Sequence, residues 1–172
     1  MSPATTRPIY VIVYRSRLFP AHWSLWIPRK LDKDIGKVIH VNGSAASGFE
    51  REFRRDFNLT TDISQSYSLV FLADVDNRYI VDDFKLPDQE GDDIEAQTGD
   101  DSEVAIDDIE RVALALPPPK KSLRSSYTTQ VVKGRAQLLN CQSWLRELVV
   151  SLVKNGIVPG TAVAAMDGAP EN

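Results

Sequence analysis

Sulfur and imidazole are both scarce in this chain. Cys141 is the only thiol among 172 residues, and histidine occurs only as His22 and His40. A lone cysteine excludes an internal disulfide and any multi-cysteine zinc site, and it suits a reducing, cytoplasmic setting. Zinc held by His22, His40 and Cys141 would have suitable donor types, but no fourth ligand and none of the close spacing of such sites, so no metal or other cofactor is expected. No apolar run approaches the length of a bilayer span, and the polar start, Met1 to Pro8, lacks the apolar core of a secretion signal. Basic residues do not dominate either: 20 Lys and Arg stand against 24 Asp and Glu, giving a net charge of −4. That balance argues against nucleic acid or an anionic membrane as the main partner.

What is present is ordinary globular composition, 42% hydrophobic and 26% charged, enough for one domain over residues 1–172 with a real core. Residues 1–7 and 160–172 read as flexible tails, and the acidic stretch 87–102 as a solvated loop. The β-branched and aromatic run from Ile9 to Tyr14 predicts a buried strand. His22 to Ile27 predicts a second, with His22, Ser24 and Trp26 on one face and Trp23, Leu25 and Ile27 on the other. Val38 to Val41 reads as a third, placing one histidine on each arm of a hairpin whose loop, Arg29 to Lys37, is exposed. Phe49, Phe53 and Phe57, spaced by four, predict a short helix or turn over 48–59. Tyr67 to Asp74 predicts a strand, Tyr79 to Val81 a shorter one, Glu103 to Leu116 a helix stopped by three prolines, and Tyr127 to Val132 a further strand.

The clearest element is the last. Cys141, Trp144, Leu145, Leu148, Val149, Leu152 and Val153 follow helical periodicity behind the N-cap Asn140, with Asn155-Gly156 as the stop. Cys141 is therefore the first residue of the final helix. Unpaired N–H groups and the helix dipole favour negative charge there, which predicts a lowered thiol pKa and donors for an oxyanion. The helix phase turns the thiol toward the sheet, where a strand can present an imidazole. Taken singly, the thiol also reads as a buried structural cysteine and each histidine as a hydrogen-bonded strand residue.

His22-Trp23-Ser24-Leu25-Trp26-Ile27 resembles the first-histidine strand of the lecithin:retinol acyltransferase-like group, which includes the HRAS-like suppressor enzymes of the NlpC/P60 superfamily. Val38-Ile39-His40-Val41 resembles its second-histidine strand, and Asn140-Cys141-Gln142-Ser143-Trp144-Leu145 its Asn-Cys helix start. The resemblance implies an α+β fold, a small antiparallel sheet packed on helices in a circularly permuted papain-like core. It implies Cys141 as nucleophile, His22 as general base and His40 as its orienter. The reaction it implies is acyl transfer through a thioester on an ester, amide or thioester carbonyl of a small-molecule, lipid or peptide substrate. Beside the resemblance, Trp23 and Trp26 read as core or pocket wall, and with Tyr14 they are the residues expected near that substrate. Pro20-Ala21 stand where the family carries a tyrosine before its first histidine. The competing reading is a binding or regulatory module that keeps the fold without turnover. Oligomeric state is not set by the sequence.

Overall fold

The computed structural model describes residues 5–82, 104–121 and 139–172. Five strands, β1 (Thr6–Tyr14), β2 (His22–Pro28), β3 (Ile35–Ser44), β4 (Gly48–Asn58) and β5 (Tyr67–Asp76), form one antiparallel sheet in the order β4-β3-β2-β1-β5. Three helices accompany it: α1 (Asp108–Ala115), α2 (Cys141–Lys154) and α3 (Thr161–Asp167). The protein is thus α+β, as expected.

All three helices contribute to the core on one face of the sheet. There Ile9, Val11, Val13, Trp23, Leu25, Ile39, Val41 and Phe53 meet Ile109 and Ala113 of α1, Leu145, Leu148 and Leu152 of α2, and Met166 of α3. A smaller cluster, Ile12, Trp26, Val38, Phe57 and Leu59, covers part of the opposite face. The predicted alternation in β2 holds: Trp23, Leu25 and Ile27 join the first core and Trp26 the second.

Residues 48–59 are not a helix or turn. β4 runs beside β3 with His40 opposite Glu52 and Ile39 opposite Phe53. A spacing of four is also two strand periods, so Phe49 and Phe53 share the helix-facing side. A β-bulge between the Val38–Arg54 and Gly36–Phe57 pairs then moves Phe57 to the other face, against Trp26 at a ring separation of 6.1 Å. Gly36 sits at this irregularity, where a Cβ would fall 2.3 Å from the Ile27 carbonyl oxygen, so only glycine fits.

The segment read as an exposed loop up to Lys37 gives way to strand at Ile35, and Lys37 is buried. Its ammonium pairs with Asp107 and, at 2.6 Å, with Glu110. Glu110, fully buried, also takes Arg55 at 2.8 Å. Two cations and two carboxylates thereby fasten α1 to β3 and β4. Asp107 doubles as the N-cap of α1, accepting from the Glu110 amide at 2.9 Å.

Neither predicted tail is loose where it is described. Arg7 is buried in β1 and bonds Asn77 and Asp82. Residues 161–167 are helical, so α2 is not the final helix, and Ala162, Met166 and Ala169 are buried. Tyr79 to Val81 is not a strand; Asn77–Tyr79 forms a 3-10 helix instead. The acidic stretch from Pro87 and the strand expected at Tyr127 to Val132 lie outside the described residues. No described helix is long and apolar enough to cross a membrane.

Candidate functional site

The histidines meet as the hairpin reading requires. His22 Nε2 lies 2.7 Å from His40 Nδ1, with ring centroids 4.9 Å apart and nearly edge-on. The fully buried Ser24 places Oγ 3.1 Å from His40 Nδ1 and 3.4 Å from His22 Nε2. His40 Nε2 reaches the Glu52 carboxylate at 3.1 Å. Tyr14 stands beside His22 with its ring centroid 5.6 Å away. This polar chain crosses β2, β3 and β4 where the backbone ladder between β2 and β3 has ended, since their last paired residues on this side are Leu25 and Ile39. Side chains take over the pairing there.

Burial sets the electrostatics. Desolvation, helped by His40, lowers the His22 pKa to about 4, so its imidazole is neutral at pH 7. Glu52 is held below the usual carboxylate range by its hydrogen bond to His40 and stays ionised. The Tyr14 hydroxyl, desolvated, is pushed up to about 12 and remains a phenol.

Cys141 occupies the predicted first position of α2. Asn140 caps the helix, its side chain accepting from the Ser143 amide at 3.0 Å while Ser143 Oγ accepts from the Asn140 amide at 2.8 Å, a capping box. Three main-chain amides face the sulfur: those of Gln142 and Cys141 itself, and that of Trp23, which belongs to the peptide joining His22 to Trp23. The expected drop in thiol pKa does not follow. Those amides do pull it down, but burial outweighs them and the thiol is raised above its ordinary value. The second expectation altered is the approach of the imidazole. The β2 face that receives α2 carries Trp23, whereas His22 lies on the other face with Ser24, and no hydrogen bond joins Cys141 to either histidine among the described residues. Thiol and imidazole come to the same end of β2 from opposite sides.

That end is tied down by the segment after α3. Gln142 Nε2 donates to the carbonyl of Ala21 at 2.7 Å and of Glu171 at 3.0 Å, and the Ala21 amide donates to Glu171 at 3.0 Å. Trp23 Nε1 donates to the Pro170 carbonyl at 2.9 Å, and the Arg146 guanidinium lies over its ring. The residues before His22 and the residue after Cys141 are thus held by one set of bonds. Trp23 and Trp26 are sealed in the two cores and present no open ring surface. Of the three residues placed near substrate, Tyr14 alone is partly exposed at the site.

Glu52 and Ser24 were not singled out by the sequence. Ser24 shares the predicted face of His22, so its place was readable; Glu52 becomes visible only once β4 is a strand in register with β3. Two open grooves, of about 840 and 390 Å³, share the wall Pro117 to Lys121. The larger includes Glu52 and the smaller Ser143 and Trp144, while neither is lined by Cys141 or His22. No cluster of three metal-binding side chains occurs among the described residues.

The low His22 pKa makes stability fall in acid. The unfolded imidazole, with a pKa near 6.5, binds a proton that the folded one refuses until about pH 4. The unfolded state therefore gains on the folded one as pH drops through that window, by up to roughly 3 kcal/mol. Urea unfolding at pH 7 and pH 4.5 should show this loss in the wild type and a smaller one in His22→Gln; equal losses would contradict it.

No curated protein and no solved structure matches the chain. Residues 9–159 match DUF6540, a family of unknown function, and with most of its length covered the chain, lone thiol and both histidines included, belongs to that family.

Proposed function

We propose that this protein is a cysteine-dependent acyl-transfer enzyme, a hydrolase or acyltransferase on an ester, amide or thioester carbonyl, built on a circularly permuted papain-like core. The observation that carries the reading is the thiol at the start of α2, faced by three main-chain amides, one of them in the peptide that follows His22.

The protonation states shape the chemistry. With the thiol raised and His22 held neutral, the resting pair is thiol and imidazole, not thiolate and imidazolium. Attack is then general-base assisted. As the sulfur bonds to the carbonyl carbon, the S–H proton passes to His22 Nδ1, the ring nitrogen that carries no hydrogen bond among the described residues. The carbonyl oxygen gains the electron pair and is stabilised by the amides at the start of α2. Collapse expels the alcohol, amine or thiol, which takes the proton from His22 and leaves a thioester on Cys141. Water, an amine or an alcohol then accepts the acyl group. The reaction requires imidazole and thiol to close across the end of β2 that β1 alone pairs, and catalytic hydrogen bonds often tighten only with substrate bound.

A second reading, a binding or regulatory module without turnover, draws on the raised thiol and the missing thiol–imidazole bond. A panel of activated esters and thioesters separates the two. The enzyme reading expects turnover that Cys141→Ala abolishes; turnover surviving in Cys141→Ala removes the thiol from the mechanism.

A further inference from the structure

From the hydrogen-bond chain we infer that Glu52 is a positioning residue: it sets the tautomers of both histidines so that the bare nitrogen of the pair is His22 Nδ1. The inference rests on the proposed thiol chemistry only for what that bare nitrogen does.

What faces each ring nitrogen decides where the protons sit. An ionised carboxylate only accepts hydrogen bonds, so Glu52 Oε2, 3.1 Å from His40 Nε2, requires a proton on that nitrogen. With a single ring proton, at Nε2, His40 has a lone pair at Nδ1; a ring protonated on both nitrogens would instead donate from Nδ1, and a ¹⁵N-histidine spectrum would show it as His22 protonated at Nδ1. The His40 Nδ1 lone pair lies 2.7 Å from His22 Nε2, so His22 must hold its own proton at Nε2 and donate it. A neutral His22 protonated at Nε2 is bare at Nδ1, which accepts nothing from the described residues. Ser24, 3.1 Å from the same His40 nitrogen, is a second donor to it and does not reverse the order.

The opposite assignment fails at its outer end. With protons on both Nδ1 atoms, the bare His40 Nε2 would face the Glu52 carboxylate lone pair to lone pair. Without the carboxylate, His40 Nε2 loses the acceptor that fixes its proton there. A general base holding its proton on the wrong nitrogen cannot take one from the thiol.

Glu52 lies directly opposite His40, so the contact follows from strand pairing rather than from a mobile loop. Its side chain is 40% exposed, so replacing it leaves the core intact and the variants should fold.

The test is a long-range ¹H–¹⁵N correlation spectrum of the full chain labelled with ¹⁵N-histidine at pH 7.5, where only two imidazoles contribute. The wild type should show both rings protonated at Nε2 and bare at Nδ1. Glu52→Gln, whose amide can donate as well as accept, and Glu52→Ala should shift both toward a mixture, and Glu52→Asp, which keeps a group that only accepts, should restore the wild-type pattern. Acylation of Cys141 by an activated ester should fall on the order of 10- to 100-fold in Glu52→Gln and recover in Glu52→Asp, less than the loss seen when a buried triad carboxylate is replaced. Wild-type His22 protonated at Nδ1, or tautomers unchanged in both Glu52→Gln and Glu52→Ala, overturns the inference. The spectrum of Cys141→Ala should keep the wild-type pattern. A chain with this pattern but no acylation refutes the thiol reaction and leaves the role of Glu52 standing.

Discussion

Replacing Glu110 with alanine is expected to destabilise the protein by about 3–5 kcal/mol, the usual cost of breaking a buried ion pair by removing one partner. Glu110 is fully buried and meets both Lys37 and Arg55, while accepting from the Ile106 amide at 2.9 Å. Burial alone would raise its carboxyl pKa, yet Arg55 and Lys37 hold it below the usual range. Without it, Lys37 keeps Asp107 but loses its second carboxylate, and Arg55 loses both of its bonds to Glu110. A loss of that size is a large part of the 5–15 kcal/mol that keeps an ordinary domain folded. The consequence reaches the site, because Lys37 belongs to the strand that carries His40 and Arg55 to the strand that carries Glu52. The urea midpoint of Glu110→Ala measures the effect, and a loss below about 1 kcal/mol would show that the network is not what holds α1 to the sheet.

The second large effect belongs to His22. His22→Ala is expected to slow acylation of Cys141 by an activated ester by roughly 10²- to 10⁴-fold, the usual contribution of a positioned general base. The pH profile gives the sign. Neutral His22 is the active form, so the wild-type rate should rise through about pH 4 and hold level across neutral pH. It should climb again only where the thiol itself ionises, which burial delays to above its ordinary range. In His22→Ala the lower rise should vanish and the alkaline one persist. A wild-type rate that simply tracks thiol ionisation, unchanged by His22→Ala, would mean that no base assists Cys141.

Elements with one dominant period were legible in the sequence. The β-branched run of β1, the alternation of β2 and the 3-4 spacing of α2 each gave the right element, and the hairpin argument brought His22 to His40. What failed had two readings or depended on distant partners. Phe49, Phe53 and Phe57 satisfy a helix turn as well as two strand periods, and only the bulge beside Gly36 shows why Phe57 crosses to the other face. Lys37 looks solvated because its counter-ions, Asp107 and Glu110, lie some 70 residues away. The Thr161–Asp167 helix is built of small residues that carry little periodic signal. Within the site, the sequence placed Cys141 at a helix start but could not weigh burial against the helix amides, and burial wins. It also could not show that His22 faces away from α2, because the side of a strand on which a helix packs is a tertiary fact.

The central claim is that Cys141 carries the acyl group. Intact-mass measurement after exposure to an activated ester tests it most directly. One acyl adduct is expected on the wild-type chain, released by hydroxylamine as a thioester and absent from Cys141→Ala. No adduct on the wild type, or an equal adduct on Cys141→Ala, would contradict it.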